Sequence, residues 1–165
     1  MTKVIIVHGL GADKNSNWFP WLSQKLREND TLVGCETLPG ANNPKAEVWV
    51  EKVKQEMQPG CVLIGHSLGC PTILRCLEQW QSRATAKALF LIAGFGRRLH
   101  SALDNVVDPF VLPLFDFGKI QNNVDRIHVW DSDNDPLIGQ EEGLFLAEKL
   151  NGIRKTFSQK EHLCL

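Results

Sequence analysis

The clearest chemistry in the sequence lies in Gly65-His66-Ser67-Leu68-Gly69. A serine hydroxyl becomes a useful nucleophile only when a base takes its proton and donors stabilise the oxyanion created by attack on a carbonyl. Small residues on either side, Gly65 and Gly69, permit a sharp strand-to-helix turn that lifts the hydroxyl above a sheet edge and leaves the amide of Leu68 at the helix N-terminus. The neighbours fit that geometry. Cys61-Val62-Leu63-Ile64 is an apolar, strand-favouring run, and Pro71 to Leu77 is competent to form a helix.

A nucleophile of this kind needs an acid and a base, which follow it along the chain in that order. Asp131, Asp133 and Asp135 follow the penultimate predicted strand and His162 follows the final one. Asp131 and Asp133 read as turn residues, because Asp bonds its own backbone readily. Asp135 precedes Pro136, which fixes the next backbone angle. It is the candidate carboxylate for holding the His162 imidazole in its useful tautomer. Among the other histidines, His8 is expected to order a loop after the first strand, and His66 to face away from where a base must sit. His100 and His128 read as surface or satisfied residues. The second oxyanion donor is expected from the amide of Leu10, in the turn Gly9-Leu10-Gly11. Trp18, Phe19 and Trp21 read first as anchors of an opening helix. Trp18 together with Phe95, Phe110 and Phe117 could instead line an apolar substrate pocket.

These loops need a scaffold. Lys3 to His8, Cys61 to Ile64 and Ala86 to Ala93 are short apolar runs of the kind buried on both faces of a parallel sheet. Thr31 to Leu38, Val124 to Trp130 and Ile153 to Phe157 supply three more strands. Helices are expected from Leu22 and Leu26, from Asn43-Pro44 as cap and first turn through Met57, over Pro71 to Trp80, and over Leu137 to Leu150, burying Leu144, Ala147 and Leu150. The alternation predicts a three-layer α/β/α domain with a mostly parallel six-stranded sheet. Sites in such sheets lie beyond the C-terminal strand ends. Residues 95–123 show no clean period and are expected to form short helices or a cap-like segment.

At 165 residues, 43% hydrophobic and 22% charged, the chain reads as a single domain spanning 1–165. A net charge of −1 without a basic run gives no electrostatic reason to expect nucleic acid or an anionic membrane as partner. No apolar run reaches the roughly 20 residues of a spanning helix, and Lys3 with four apolar residues is too short for a signal peptide. Five cysteines, with no CxxC pair, point to buried thiols and a cytoplasmic setting. No metal or cofactor is expected, since no His or Cys has ligand spacing. Oligomeric state is not legible.

VIIVHGLG, NWFPWL at Asn17 to Leu22, LIGHSLGC at Leu63 to Cys70, FDFGKI at Phe115 to Ile120 and Asn134-Asp135-Pro136 together resemble the small α/β-hydrolases of the retinoblastoma-binding-protein-9-like group, including the bacterial YdeN-type proteins. The resemblance implies a minimal α/β-hydrolase with Ser67, Asp135 and His162 as its triad, acting on a small-molecule or peptide acyl substrate. The chain departs from the group's pattern at its end. Glu161 stands where the group has glycine, Leu163 where it has an aromatic residue, and the sequence stops at Leu165. Terminal residues are poorly ordered unless tied down, so a loosely held base is expected. The alternative it raises is a hydrolase-fold binding module whose base no longer works.

Overall fold

In the computed structural model, which describes residues 1–81 and 84–164, six strands form one parallel sheet. They are β1 (Lys3–Val7), β2 (Leu32–Gly34), β3 (Val62–His66), β4 (Ala88–Ile92), β5 (Ile127–Ser132) and β6 (Ile153–Phe157). Their spatial order is β2-β1-β3-β4-β5-β6. The chain leaves β1 toward β2 on one side and leaves β3 toward β4 on the other. Connections that diverge in this way open a crevice at the carboxyl ends of the two strands. The loop after β1 and the turn after β3 meet there.

Among the described residues, six helices connect the strands: α1 (Phe19–Arg27), α2 (Ala46–Glu56), α3 (Gly69–Gln79), α4 (Asp104–Val111), α5 (Phe117–Asn122) and α6 (Gln140–Leu150). The sheet's two faces are filled unequally. Ile5, Val7, Leu63, Leu89, Leu91, Ile127 and Val129 pack into the larger core with Trp49 of α2, Ile73 and Leu77 of α3, and Leu146 and Leu150 of α6. Val4, Ile6, Ile64 and Ile92 point the other way and meet Phe19, Leu22 and Leu26 of α1. This opposite pointing of successive residues is the period-two geometry of a strand.

Several boundaries differ from the sequence reading. β2 has three residues instead of eight; after Gly34 the chain leaves the sheet edge, and the Leu38 amide bonds the His8 ring. Asn43 closes a turn back to Gly40, so α2 starts at Ala46 with no side-chain cap. In α6, which begins at Gln140, Leu146 is the fully buried leucine while Leu144 is 45% exposed. The expected end of α6 is present: Asn151 adopts φ 50°, and the Gly152 amide bonds Ala147 O. Residues 95–123 contain the two short helices α4 and α5.

Candidate active site

Ser67 has φ 53°, a left-handed conformation that a residue with a Cβ adopts only when its surroundings impose it. Its N–H bonds Ile92 O at 2.9 Å and its carbonyl accepts from the Cys70 amide at 2.9 Å, closing the turn between β3 and α3. The flanking glycines are required by close approach. A Cβ on Gly69 would stand 2.1 Å from the Val7 carbonyl oxygen, and one on Gly65 would stand 2.9 Å from the Cys70 backbone. The Cys70 thiol donates to Gly65 O at 3.2 Å and Ile92 O at 3.5 Å. Burial pushes its pKa far up, so it stays a protonated donor that braces the turn.

The loop after β1 packs directly on this turn, and a Cβ on Gly9 would lie 2.9 Å from Ser67 Cβ. His8 anchors that loop. Its Nε2 accepts from the Leu38 amide at 2.8 Å, so in the neutral ring the proton sits on Nδ1, which donates to Gly9 O at 2.8 Å. Burial lowers the His8 pKa, favouring this neutral form. Among the described residues, the amides of Leu10 and Leu68 donate to no protein acceptor. Unpaired N–H groups are the kind of donor an oxyanion takes.

The segment after β6 is gripped by the loop after β5 almost residue by residue. Asp133 N–H bonds Phe157 O, and the Asp133 carboxylate accepts from Ser158 Oγ and the Gln159 amide. Ser132 Oγ accepts from the Lys160 amide at 3.1 Å and Asn134 Oδ1 from the Glu161 amide at 2.8 Å. The series ends at His162, whose Nδ1 lies 2.7 Å from Asp135 Oδ2. Asp135 Oδ1 accepts from the Leu137 and Ile138 amides at 2.8 and 3.0 Å. Burial opposes ionisation of this carboxyl, but the bonds from His162, Ile138 and Leu137 outweigh it and hold the pKa below the ordinary value. Beyond the histidine, Trp18 Nε1 donates to Leu163 O at 2.9 Å. The expectation of a loosely held base is therefore corrected: the His162 side chain is 13% exposed and its segment is tied on both sides. Among the described residues, the hydrogen bonds of His162 run to Asp135, His66 and Cys164.

Comparison with known proteins agrees with this architecture. The sequence matches the family described as serine hydrolase over residues 4–164. The chain belongs to that family. YdeN of Bacillus subtilis (strain 168) is 32% identical over 142 residues, covering 84% of this chain and 74% of that protein. The crystal structure of the B. subtilis ydeN gene product superposes with a TM-score of 0.93 at 28% identity, over 99% of this chain and 88% of that one. A monoacylglycerol lipase from Paleococcus ferrophilus shares the fold at a TM-score of 0.67 and 14% identity, over 95% of this chain and 84% of its own. The protein is a YdeN-type serine hydrolase with a minimal α/β-hydrolase fold, and no helix among its described residues is long and apolar enough to cross a membrane.

Other residues of the hydrolase stand differently from their sequence reading. His66 does not face away: its Nε2 lies 2.9 Å from His162 O, and the two rings are 5.0 Å apart. Nothing local distinguishes this contact, because it joins residues 96 positions apart. Asp131 is no turn residue; it is buried at the end of β5 in an ion pair with Arg154 at 2.6 Å. Trp21 is 63% exposed, whereas Phe19 is fully buried as an anchor should be. Phe95 and Phe110 are each 1% exposed, and their faces are occupied by core packing, with Trp49 edge-on to Phe110. Phe117 packs between Phe115 and Phe145. Trp18 is half-buried against Phe19 and His66 and spends its N–H on the Leu163 carbonyl. His100 is exposed and His128 stacks on Phe90, both as the sequence reading has them. A cleft of about 560 Å³ between α2, α3 and α4 includes none of Ser67, Asp135 and His162.

Proposed function

We propose that the hydrolase cleaves a small ester, thioester or activated amide through an acyl-enzyme on Ser67. Ser67 Oγ attacks the carbonyl carbon while its proton passes to His162 Nε2. The amides of Leu10 and Leu68 hold the oxyanion, and collapse expels the leaving group, which takes the proton from Nε2. Water then attacks the acyl carbonyl with His162 as base again, releasing the acid and restoring Ser67. Asp135, ionised and accepting from Nδ1, keeps Nε2 free for that traffic and stabilises the imidazolium formed in each half-reaction.

The observation that supports this reading most is the pairing of a left-handed Ser67 turn with a His162–Asp135 hydrogen bond of 2.7 Å. A left-handed serine at a strand-to-helix turn together with a buried carboxylate on a ring nitrogen is the pairing that nucleophilic catalysis uses. The tied segment around His162 favours an active enzyme over a binding module that has lost its base. A fluorophosphonate probe tests it. The folded protein should be labelled stoichiometrically and Ser67→Ala should not; absence of labelling on folded wild-type protein would overturn the proposal.

A further inference from the structure

We propose that His66, inside the elbow motif itself, is a positioning residue that fixes the backbone of His162 by donating its Nε2–H to the His162 carbonyl. The inference rests on the reading of His162 as the base and adds to it the group that holds that base from the nucleophile's side.

A carbonyl oxygen only accepts, so the 2.9 Å contact requires the proton on His66 Nε2. The ring is held in place. It lies edge-on to Trp18 at 6.1 Å, to Phe19 at 6.0 Å and to the His162 ring at 5.0 Å, and the residue is 3% exposed. Burial lowers its pKa to about 4, which keeps it neutral and in one tautomer near neutral pH. The other ring nitrogen has a different status: His66 Nδ1 is buried with no hydrogen-bond partner among the described residues. An orphaned buried acceptor is costly, and phenylalanine would fill the same space without that cost. Packing alone therefore does not explain a histidine here, whereas the Nε2–H does.

The placement explains what the bond accomplishes. His66 is the last residue of β3 and adjoins Ser67, whose amide is fixed to Ile92 of β4. The β5 loop holds the chain ahead of His162, at Lys160 and Glu161. His66 and Trp18 hold the two successive carbonyls of His162 and Leu163. The base is thus referenced to the nucleophile's own strand as well as to the acid's loop. A displacement of about 1 Å between such groups costs on the order of a hundredfold in rate.

The test compares wild type, Ser67→Ala, His66→Phe and His66→Gln. The readouts are hydrolysis of p-nitrophenyl acetate, fluorophosphonate labelling and the downfield proton resonance of His162 Nδ1–H. His66→Phe keeps the ring but loses the donor. It should lower kcat about tenfold or more with KM within about twofold, and should broaden or abolish the resonance in a folded protein. Glutamine places an amide N–H close to the lost Nε2 and should restore kcat to within about threefold of wild type. Wild-type kcat and an intact resonance in His66→Phe, or a glutamine variant as impaired as the phenylalanine one, would overturn the proposal. If His66→Phe does not fold, His66→Leu replaces it with the same expectations. Failure of the Ser67 mechanism would show separately, as an unlabelled wild type, and the resonance would still decide the role of His66.

Discussion

Acidification should destabilise the hydrolase through His66, and the size of the effect follows from its site. The ring is buried among Trp18, Phe19 and His162, and its pKa falls from 6.5 to about 4. The unfolded chain then binds a proton across a pH range in which the folded chain does not. A base with a depressed folded pKa contributes stability that is intact above pH 6.5 and is lost as pH falls toward 4. Linkage over that shift gives a loss of roughly 2 kcal/mol between pH 7 and pH 5, or about 1 M in urea midpoint for an m-value near 2 kcal/mol/M. Asp135 adds its own loss only at lower pH, because its carboxyl is depressed from 3.8. His8, also lowered by burial, contributes with the same sign in every variant compared. Urea unfolding of wild type and His66→Gln at pH 7 and pH 5 isolates the His66 share, since glutamine does not titrate. Wild type should lose roughly 2 kcal/mol more than the variant over this interval. Equal losses in the two proteins would refute the assignment of a buried, neutral His66.

Three further outcomes follow from the backbone around the site. Gly69→Ala drives a Cβ to 2.1 Å from the Val7 carbonyl oxygen, so the elbow must shift against β1. Esterase activity should fall about a hundredfold or more, with a lowered melting temperature. Glu161 is exposed and held at φ 48°, so Glu161→Gly relieves left-handed strain while keeping the amide bonded to Asn134. Differential scanning calorimetry should show an unchanged or slightly raised melting temperature, by up to about 3 °C. Asn134→Ala removes the acceptor of the Glu161 amide and the partner of Ser132 Oγ. It should cost about 1–2 kcal/mol in stability by urea titration and lower kcat more than it raises KM.

The parts of the site that were legible in the sequence are those written in local spacing or in topology. Gly65-x-Ser67-x-Gly69 between an apolar run and a helix specifies its turn within a few residues, and the structure adds the backbone contacts that exclude a Cβ at either glycine. Asp135 and His162 could be nominated because a parallel sheet brings successive strand ends to one edge, and they stand within hydrogen-bond distance. What was not legible depends on contacts between distant segments. The grip of Ser132, Asp133 and Asn134 on residues 157–161 uses side chains that read individually as turn formers. The segment after β6 therefore read as a free end. Asp131 was misread for a similar reason, since its partner Arg154 lies on the neighbouring strand. In α6 an offset of two residues exchanged the buried Leu146 for the exposed Leu144, because both fit an apolar helix face until the sheet fixes its rotation. Edge strand β2 was overestimated because β-favouring residues continue past Gly34, whereas the Leu38 amide bonds the His8 ring and the chain leaves the sheet edge.

The most direct test of Ser67 as the acyl carrier is rapid acid quench of the hydrolase with p-nitrophenyl acetate, followed by intact-mass analysis and peptide mapping. One acetyl group should appear on the peptide containing Ser67, persist longer when His162 is replaced by glutamine, and be absent from Ser67→Ala. An acetyl group on another residue, or undiminished hydrolysis by Ser67→Ala, would contradict it.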